Sequence, residues 1–229
     1  MLYDEAAVRA NVRNRDGKRV FFLGQKDNLT PSARDWLQSQ RIEIRPGGEA
    51  KINEYMMPDG ETTTEKPEHM THLRGNILVS KTSPIIAFRG AMDTLQAEIL
   101  LAQLAVALPI QRKLEEILTL ARNILRWEVM EEPAKLDTLC GLTLQQQRSH
   151  SHRPQDFYGQ PHFMPSHTDG SGILQLNRAR CAARNAELAA ACAFCSEGDK
   201  CVRPDILLLL NRMSSMLYIL MIELKANTR

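Results

Sequence analysis

Arg180, Arg184 and Glu187 stand at i, i+4 and i+7 of an alanine-rich stretch, a spacing that puts two guanidinium groups and a carboxylate on one helix face. Guanidinium groups fork onto phosphate oxygens, so this face suits a polyphosphate, with Glu187 orienting the nearer arginine. The other reading is a solvated charged face with ordinary pairing. Downstream, Asn211, Arg212, Ser214 and Ser215 interrupt an apolar run from Ile206 to Ile222. Buried polar groups are costly unless paired, so this patch should face a ligand, a partner subunit or its own hydrogen-bond network.

Other candidates carry less. Lys81 precedes Pro84 and the first long helical pattern, where an ammonium can meet phosphate or stand at the surface. Thr168-Asp169-Gly170-Ser171-Gly172 opens another helix, whose amides suit an anion, but no Gly-Lys-Ser/Thr follows to make a P-loop. Cys192, Cys195 and Cys201 cluster near a helix end, with His162 and His167 as further ligands for a metal; the alternative is core or loop thiols. His69 and His72 are a weaker pair. No Glu-x-x-His pair and no Ser-His-Asp arrangement appear, so neither a di-iron centre nor a hydrolytic triad is expected.

These residues need a scaffold, and the pattern supplies helices. Pro84 to about Leu108 carries a stripe from Phe88 through Leu104, ended by Pro109. Further helices are expected over 110–130, 134–147, 172–195 and 205–226, with Leu174, Cys181, Leu188, Cys192 and Cys195 as the apolar seam of the fourth. Five helices with short connections imply a mainly α bundle. The exception is a loop over 149–170 holding four histidines and three prolines. Residues 1–45 read as a small α/β appendage: Arg19–Leu23 a strand, Thr30-Pro31 a capped helix start, Ile42–Ile44 a strand. Residues 46–75, rich in Pro, Gly and Thr, read as a linker, leaving 76–229 as the helical domain.

At 229 residues, with 43% hydrophobic, 24% charged and 5% aromatic side chains, the chain has the composition of a soluble aliphatic-helix protein. Twenty-nine basic against 27 acidic residues leave +2, with no basic run to neutralise a row of phosphodiesters, so nucleic acid is not an expected partner. No uninterrupted apolar run suggests a membrane span, and the acidic start is unlike a signal peptide, so a cytoplasmic location is expected. Five cysteines in no regular framework fit reduced thiols.

Three ordered motifs together resemble the corrinoid (cobalamin) adenosyltransferases, in particular the ethanolamine-utilization (EutT) branch related to the propanediol-type (PduO) enzymes. They are Leu78–Pro84 running into Phe88-Arg89-Gly90-Ala91-Met92-Asp93, then Arg180-x3-Arg184-x2-Glu187, then Arg203-Pro204-Asp205-Ile206 into Leu210-Asn211-Arg212-Met213-Ser214-Ser215. Leu29–Arg34 is similar to the same branch. The resemblance implies a five-helix bundle with its site between subunits, and transfer of the 5′-deoxyadenosyl group of ATP to cob(I)alamin with triphosphate leaving. It implies ATP contacts at Lys81, Arg184, Glu187 and Asn211, with Arg180 supporting phosphate or corrinoid, and a catalytic set of Arg180, Arg184 and Glu187. Asp93 matches an aspartate that organises the subunit contact or the site. His162 and Phe163 fall where the family displaces the lower axial ligand of the corrinoid.

From the same resemblance follow Mg²⁺ with the ATP, a homo-oligomer (trimer, or dimer), an acceptor ammonia-lyase, and association with a bacterial microcompartment. The chain departs from its relatives in two places. No Thr-Gly-Asp-x-Gly loop precedes Lys81, and residues 46–80 hold no cysteine, so a linker metal site is not expected. Two rival readings are a corrinoid carrier without catalysis and a helical scaffold.

Overall fold

The computed structural model describes residues 1–15, 17–47, 54–196 and 200–227. They form two compact units, Met1–Ser83 and Pro84–Arg229. The described residues are mainly helical, with small sheets.

In the first unit, β1 (Leu2–Tyr3) leads into α1 (Glu5–Asn11), whose first turn is capped by the Asp4 carboxylate accepting from Ala7 N–H. β2 (Arg13–Arg15) and β3 (Lys18–Leu23) form a hairpin, followed by β4 (Asn28–Leu29), α2 (Pro31–Ser39) and β5 (Glu43–Pro46). β3 and β5 pair in parallel with α2 as the crossover, so the expected strand, helix, strand unit is present. Thr30 caps α2 with Pro31 at its start. Val8, Val12, Phe21, Ala33, Leu37 and Ile42 make its core.

The stretch expected to be a linker is built differently. Residues 48–53 of it lie outside the described set, but β6 (Tyr55–Met56), β7 (Thr62–Thr63), β8 (Met70–Arg74) and β9 (Ile77–Ser80) form a four-stranded sheet in the order β7-β6-β9-β8. Asn76, only 3% exposed, ties it to the preceding residues. Its side-chain oxygen accepts from Asn14 N–H at 2.7 Å, and its amide donates to the carbonyls of Asn14 and Glu54, each at 2.8 Å. Gly75 makes this approach possible: with φ of 52°, an added Cβ would lie 2.2 Å from the Val12 carbonyl oxygen. The unit boundary therefore falls at Ser83/Pro84 rather than within 46–75.

The second unit holds α3 (Pro84–Leu104), α4 (Leu108–Val129), a hairpin of β10 (Thr138–Leu139) and β11 (Leu142–Thr143), α5 (Leu144–His152), α6 (Pro154–Tyr158), α7 (Gly170–Phe194) and α8 (Pro204–Asn227). Pro109 starts α4 instead of ending α3, because the first turn of a helix has no use for the missing N–H. Of the helix expected over 134–147 only residues 144–147 are helical, as the start of α5; the rest is an extended segment and a hairpin. Cys140 (φ 52°) and Gly141 (φ 78°) supply the two left-handed residues of a tight turn. The expected loop over 149–170 contains the end of α5, all of α6 and a short 3-10 turn at His167–Asp169.

The seam of α7 is also not the expected one. Cys181, Leu188, Cys192 and Cys195 are exposed, whereas Gly172, Ile173, Leu176, Ala179, Ala182, Ala183, Ala186 and Ala190 are buried. Small residues let neighbouring backbones approach, and bulk comes from Phe88, Met92, Leu95 and Ile99 of α3 and from the apolar side chains of α8. By length and composition α8 could cross a membrane, yet 67% of its most apolar window is buried within the unit, as suits a central core helix. Arg89 bonds bidentately to Glu128, which is 1% exposed, at 2.8 and 3.1 Å, and so joins α3 to α4. Arg203 and Asp205 of the recognised motif are structural. Arg203 donates to Asp205 and to the Glu132 carbonyl, and Asp205 accepts from Ala134 N–H, anchoring the extended segment to the start of α8.

Two predictions follow from this packing. A Cβ on Gly172 would lie 2.9 Å from Leu224 Cδ2 and 3.0 Å from the Ala105 carbonyl oxygen. Gly172→Val should therefore cost roughly 2 kcal/mol of stability in urea unfolding; an unchanged midpoint contradicts the packing. Asp169 accepts from Lys225 of α8 and from Ser166 N–H. The Lys225 ammonium first, then the Ser166 amide, hold its carboxyl below its ordinary value of 3.8. Its contribution is complete above that value and is lost as pH falls through the lower, folded one. Asp169→Asn should flatten the acid limb of a denaturation midpoint plotted against pH; an unaltered limb contradicts the linkage.

Candidate functional site

α7 and α8 pack directly against each other, and the polar residues of both meet along the contact. Asn211, Ser214, Ser215 and Tyr218 follow one another at helical spacing on α8, so all four share a face. Asn211 sits at the centre of a hydrogen-bonded chain. Its Nδ2 donates to Glu187 Oε1 of α7 at 2.9 Å, and its Oδ1 accepts from Arg212 Nη2 at 2.7 Å. The amide thus links a cation to an anion, and each end of it faces the partner of the correct polarity.

Arg212 is 9% exposed. Burial first, then the like charge of Arg148, pull its pKa down, and Glu187 opposes them. Its Nε has no protein hydrogen-bond partner, and neither does the buried Nε of Arg180. The Arg180 guanidinium lies over the Tyr218 ring, 5.7 Å from the centroid. A cleft of about 250 Å³ opens here, lined by Ser151 and His152 of α5, His162, Arg180, Ser214, Ser215 and Tyr218. A larger groove of about 420 Å³ runs along α4 past Glu116 and Leu139 and contains none of the residues expected to do chemistry.

His162 is held at both ring nitrogens. Nε2 lies 3.1 Å from the His152 carbonyl oxygen and Nδ1 lies 2.9 Å from the Tyr218 hydroxyl. A carbonyl can only accept, so Nε2 carries a proton, and in the neutral ring Nδ1 accepts from the phenol. Its ring stacks on Tyr218 at 5.8 Å and 11°. Burial pushes the Tyr218 pKa up, so the hydroxyl stays a donor; the Phe163 amide and Arg180 oppose the shift. Because both nitrogens are engaged, His162 presents an aromatic surface rather than a free nitrogen.

Of the residues singled out from sequence, the structure pairs Glu187 with Asn211 and places Arg180 and His162 together in the cleft. Arg184, one turn beyond Arg180, is exposed, and Glu187 bonds Asn211 rather than orienting an arginine. Phe163 is half-buried under the Lys225 ammonium, 5.1 Å from its centroid. Asp93 is exposed on α3. Lys81 belongs to the first unit, where its Nζ lies 3.7 Å from the Glu68 carboxylate. Cys192, Cys195 and Cys201 lie at the end of α7 and in the connection after it. Among the described residues no group of three or more His, Cys, Asp or Glu side chains is placed to hold a metal ion. Sequence reasoning missed Tyr218, Arg148 and the His152 carbonyl. Tyr218, seven residues after Asn211, was within reach of the helical period; a backbone carbonyl leaves no sequence signal.

The arrangement sets the like charges of Arg148 and Arg212 near each other, ties Arg212 through Asn211 to Glu187, and places Arg180 over Tyr218 in the cleft, with no nucleophile paired with a base among them. It is suited to gripping a polyanion and orienting it.

Residues 61–224 match the family model described as cobalamin adenosyltransferase. The chain is 30% identical over 241 aligned residues to "Corrinoid adenosyltransferase EutT" of Salmonella typhimurium (strain LT2), covering 95% of this chain and 90% of that protein. The protein of the same name from Escherichia coli (strain K12) gives the same identity and coverage. No solved structure matches the chain. With residues 61–224 matching the family model and relatives at 30% identity covering 95% of it, the chain belongs to the cobalamin adenosyltransferase family of enzymes.

Proposed function

We propose that the protein transfers the 5′-deoxyadenosyl group of ATP to cob(I)alamin, with triphosphate as the leaving group, and so supplies adenosylcobalamin to an ammonia-lyase in ethanolamine breakdown. The observation that carries this reading is that the buried Nε atoms of Arg212, which is tied through Asn211 to Glu187, and of Arg180, in the cleft with Tyr218, lack protein partners. Such nitrogens suit phosphate oxygens.

In the reaction, the electron pair of Co(I) forms a bond to C5′ of ATP and the C5′–O bond breaks toward the triphosphate. Because the substrate is itself the nucleophile, the protein needs no nucleophile or general base. Its task is alignment of C5′ and neutralisation of the departing charge. Arg180 and Arg184 take the phosphates, while Glu187 and Asn211 hold the nucleoside end. Mg²⁺ accompanies the triphosphate. His162, its nitrogens occupied, and Phe163 line the corrinoid side, where apolar and aromatic surface disfavours a lower axial ligand. α3, α4, α5, α7 and α8 form the five helices of the family bundle. Asp93 organises the contact between subunits of a trimer, or of a dimer, in the cytoplasm or in a microcompartment.

The test is incubation with ATP, Mg²⁺ and chemically reduced cobalamin. The adenosylated spectrum should appear with stoichiometric triphosphate. Cobalamin binding without turnover would instead make the protein a carrier, and failure of both would leave a scaffold. In the same assay Arg184→Ala should lower kcat/KM for ATP by roughly 30- to 100-fold, the loss of about 2–3 kcal/mol from a charge-assisted contact, with an unchanged circular dichroism spectrum. An unaltered rate at low ATP would exclude Arg184 from the phosphate grip.

Asn211→Asp sets a carboxylate where an amide now donates to Glu187. The like-charge contact should raise KM for ATP by about tenfold or more. Unchanged kinetics would remove Asn211 from the site.

A further inference from the structure

Cys195 and Cys201 face each other across an antiparallel bridge in the connection between α7 and α8. Its flanking hydrogen bonds run from Val202 N–H to the Phe194 carbonyl and from Ser196 N–H to the Lys200 carbonyl, both 2.9 Å. The two cysteines are therefore a non-hydrogen-bonded pair, the kind whose Cα atoms sit about 4.5 Å apart with side chains on the same face. That spacing lies within the range a disulfide spans. The two thiols contact each other. The hydrogen bond to Cys201, more than any other influence, pushes the Cys195 pKa up to about 11.

The remaining thiols are placed differently. Cys192 is exposed one turn back on α7. Cys181 lies nearly four turns before Cys195 on the same helix, and Cys140 donates to the Lys113 carbonyl, with burial pushing its pKa up to about 12. Cys195 is exposed and Cys201 half-exposed, so a small reagent can reach the pair from solvent.

We propose that Cys195 and Cys201 are a dithiol modification site, which a low-molecular-weight disulfide converts into an intrachain disulfide joining the end of α7 to the segment before α8. One cysteine, as its thiolate, attacks the reagent R–S–S–R, forming a mixed disulfide and releasing one thiolate RS⁻. The second cysteine, losing its proton, attacks the protein sulfur of that mixed disulfide and releases the second RS⁻. Two protein thiols lose two electrons and two protons, one S–S bond forms in the protein, and the reagent is reduced to two RSH. The staple lies eight residues past Glu187 and ten before Asn211. It limits how far α7 and α8 can separate near the polar chain that joins them, and it stabilises the native state by restricting the unfolded chain. The site is independent of the proposed reaction.

The full-length, fully reduced protein is incubated with oxidised glutathione, free thiols are alkylated, and peptides are mapped by mass spectrometry. A Cys195–Cys201 cross-link is expected, with Cys140 and Cys181 still alkylated and a rise of several degrees in Tm that dithiothreitol reverses. Cys192→Ser should retain the cross-link, whereas Cys201→Ser should halt at a glutathione adduct. Adducts that never close in the wild type, a bond from Cys192 or between chains, or five alkylated thiols would each overturn the proposal.

Discussion

The structure of the helical unit turns on one electrostatic requirement. α8 is the most deeply packed helix of its unit, and a guanidinium and an amide in such a setting must be satisfied or the helix could not be buried there. Asn211 meets that requirement by accepting from Arg212 and donating to Glu187. The solution fixes the face that α8 turns toward α7, and with it the positions of Ser214, Ser215 and Tyr218 along the cleft. It also explains the composition of α7. A helix that brings its backbone close to a bulky neighbour needs small side chains, and the buried run from Ala179 to Ala190 supplies them.

The same contact creates the chemistry. Packing satisfies some of the arginine nitrogens and leaves the Nε atoms of Arg180 and Arg212 without partners, next to an exposed Arg184. Burial and the like charge of Arg148 both disfavour the Arg212 cation, and Glu187 only partly opposes them. Under the proposed reading, a phosphate-bearing ligand would offset those costs. In the proposed reaction, in which a triphosphate departs, the grip falls to the arginines and the orientation to Glu187 and Asn211.

Much of this was legible in the sequence, and the failures have physical causes. Arg180, Glu187 and Asn211 were readable because charge in an alanine-rich helix and polarity in an apolar one are local contrasts. The long helices were readable from their period, but Pro109 was taken as a stop because a proline marks a helix beginning as readily as an end. The seam of α7 was misread because Leu188 and the cysteines are more apolar than alanine, whereas close packing is decided there by volume. The first three strands of the sheet over 55–80 fall in the stretch that reads as linker, 46–75, because β6 and β7 are only two residues long and show no period, and the three bonds of Asn76 that hold the sheet join residues 22 and 62 apart in the chain. The Cys140–Gly141 turn, hidden within an apparent helix, depends on two positive φ angles, one of them at a residue that seldom adopts them.

A crystal structure of the protein with ATP tests the central claim most directly. It should show phosphate oxygens within hydrogen-bonding distance of Arg180 and Arg184, and the nucleoside against Glu187 and Asn211. Nucleotide bound elsewhere, with the Arg212–Asn211–Glu187 chain undisturbed and distant from it, would contradict the account.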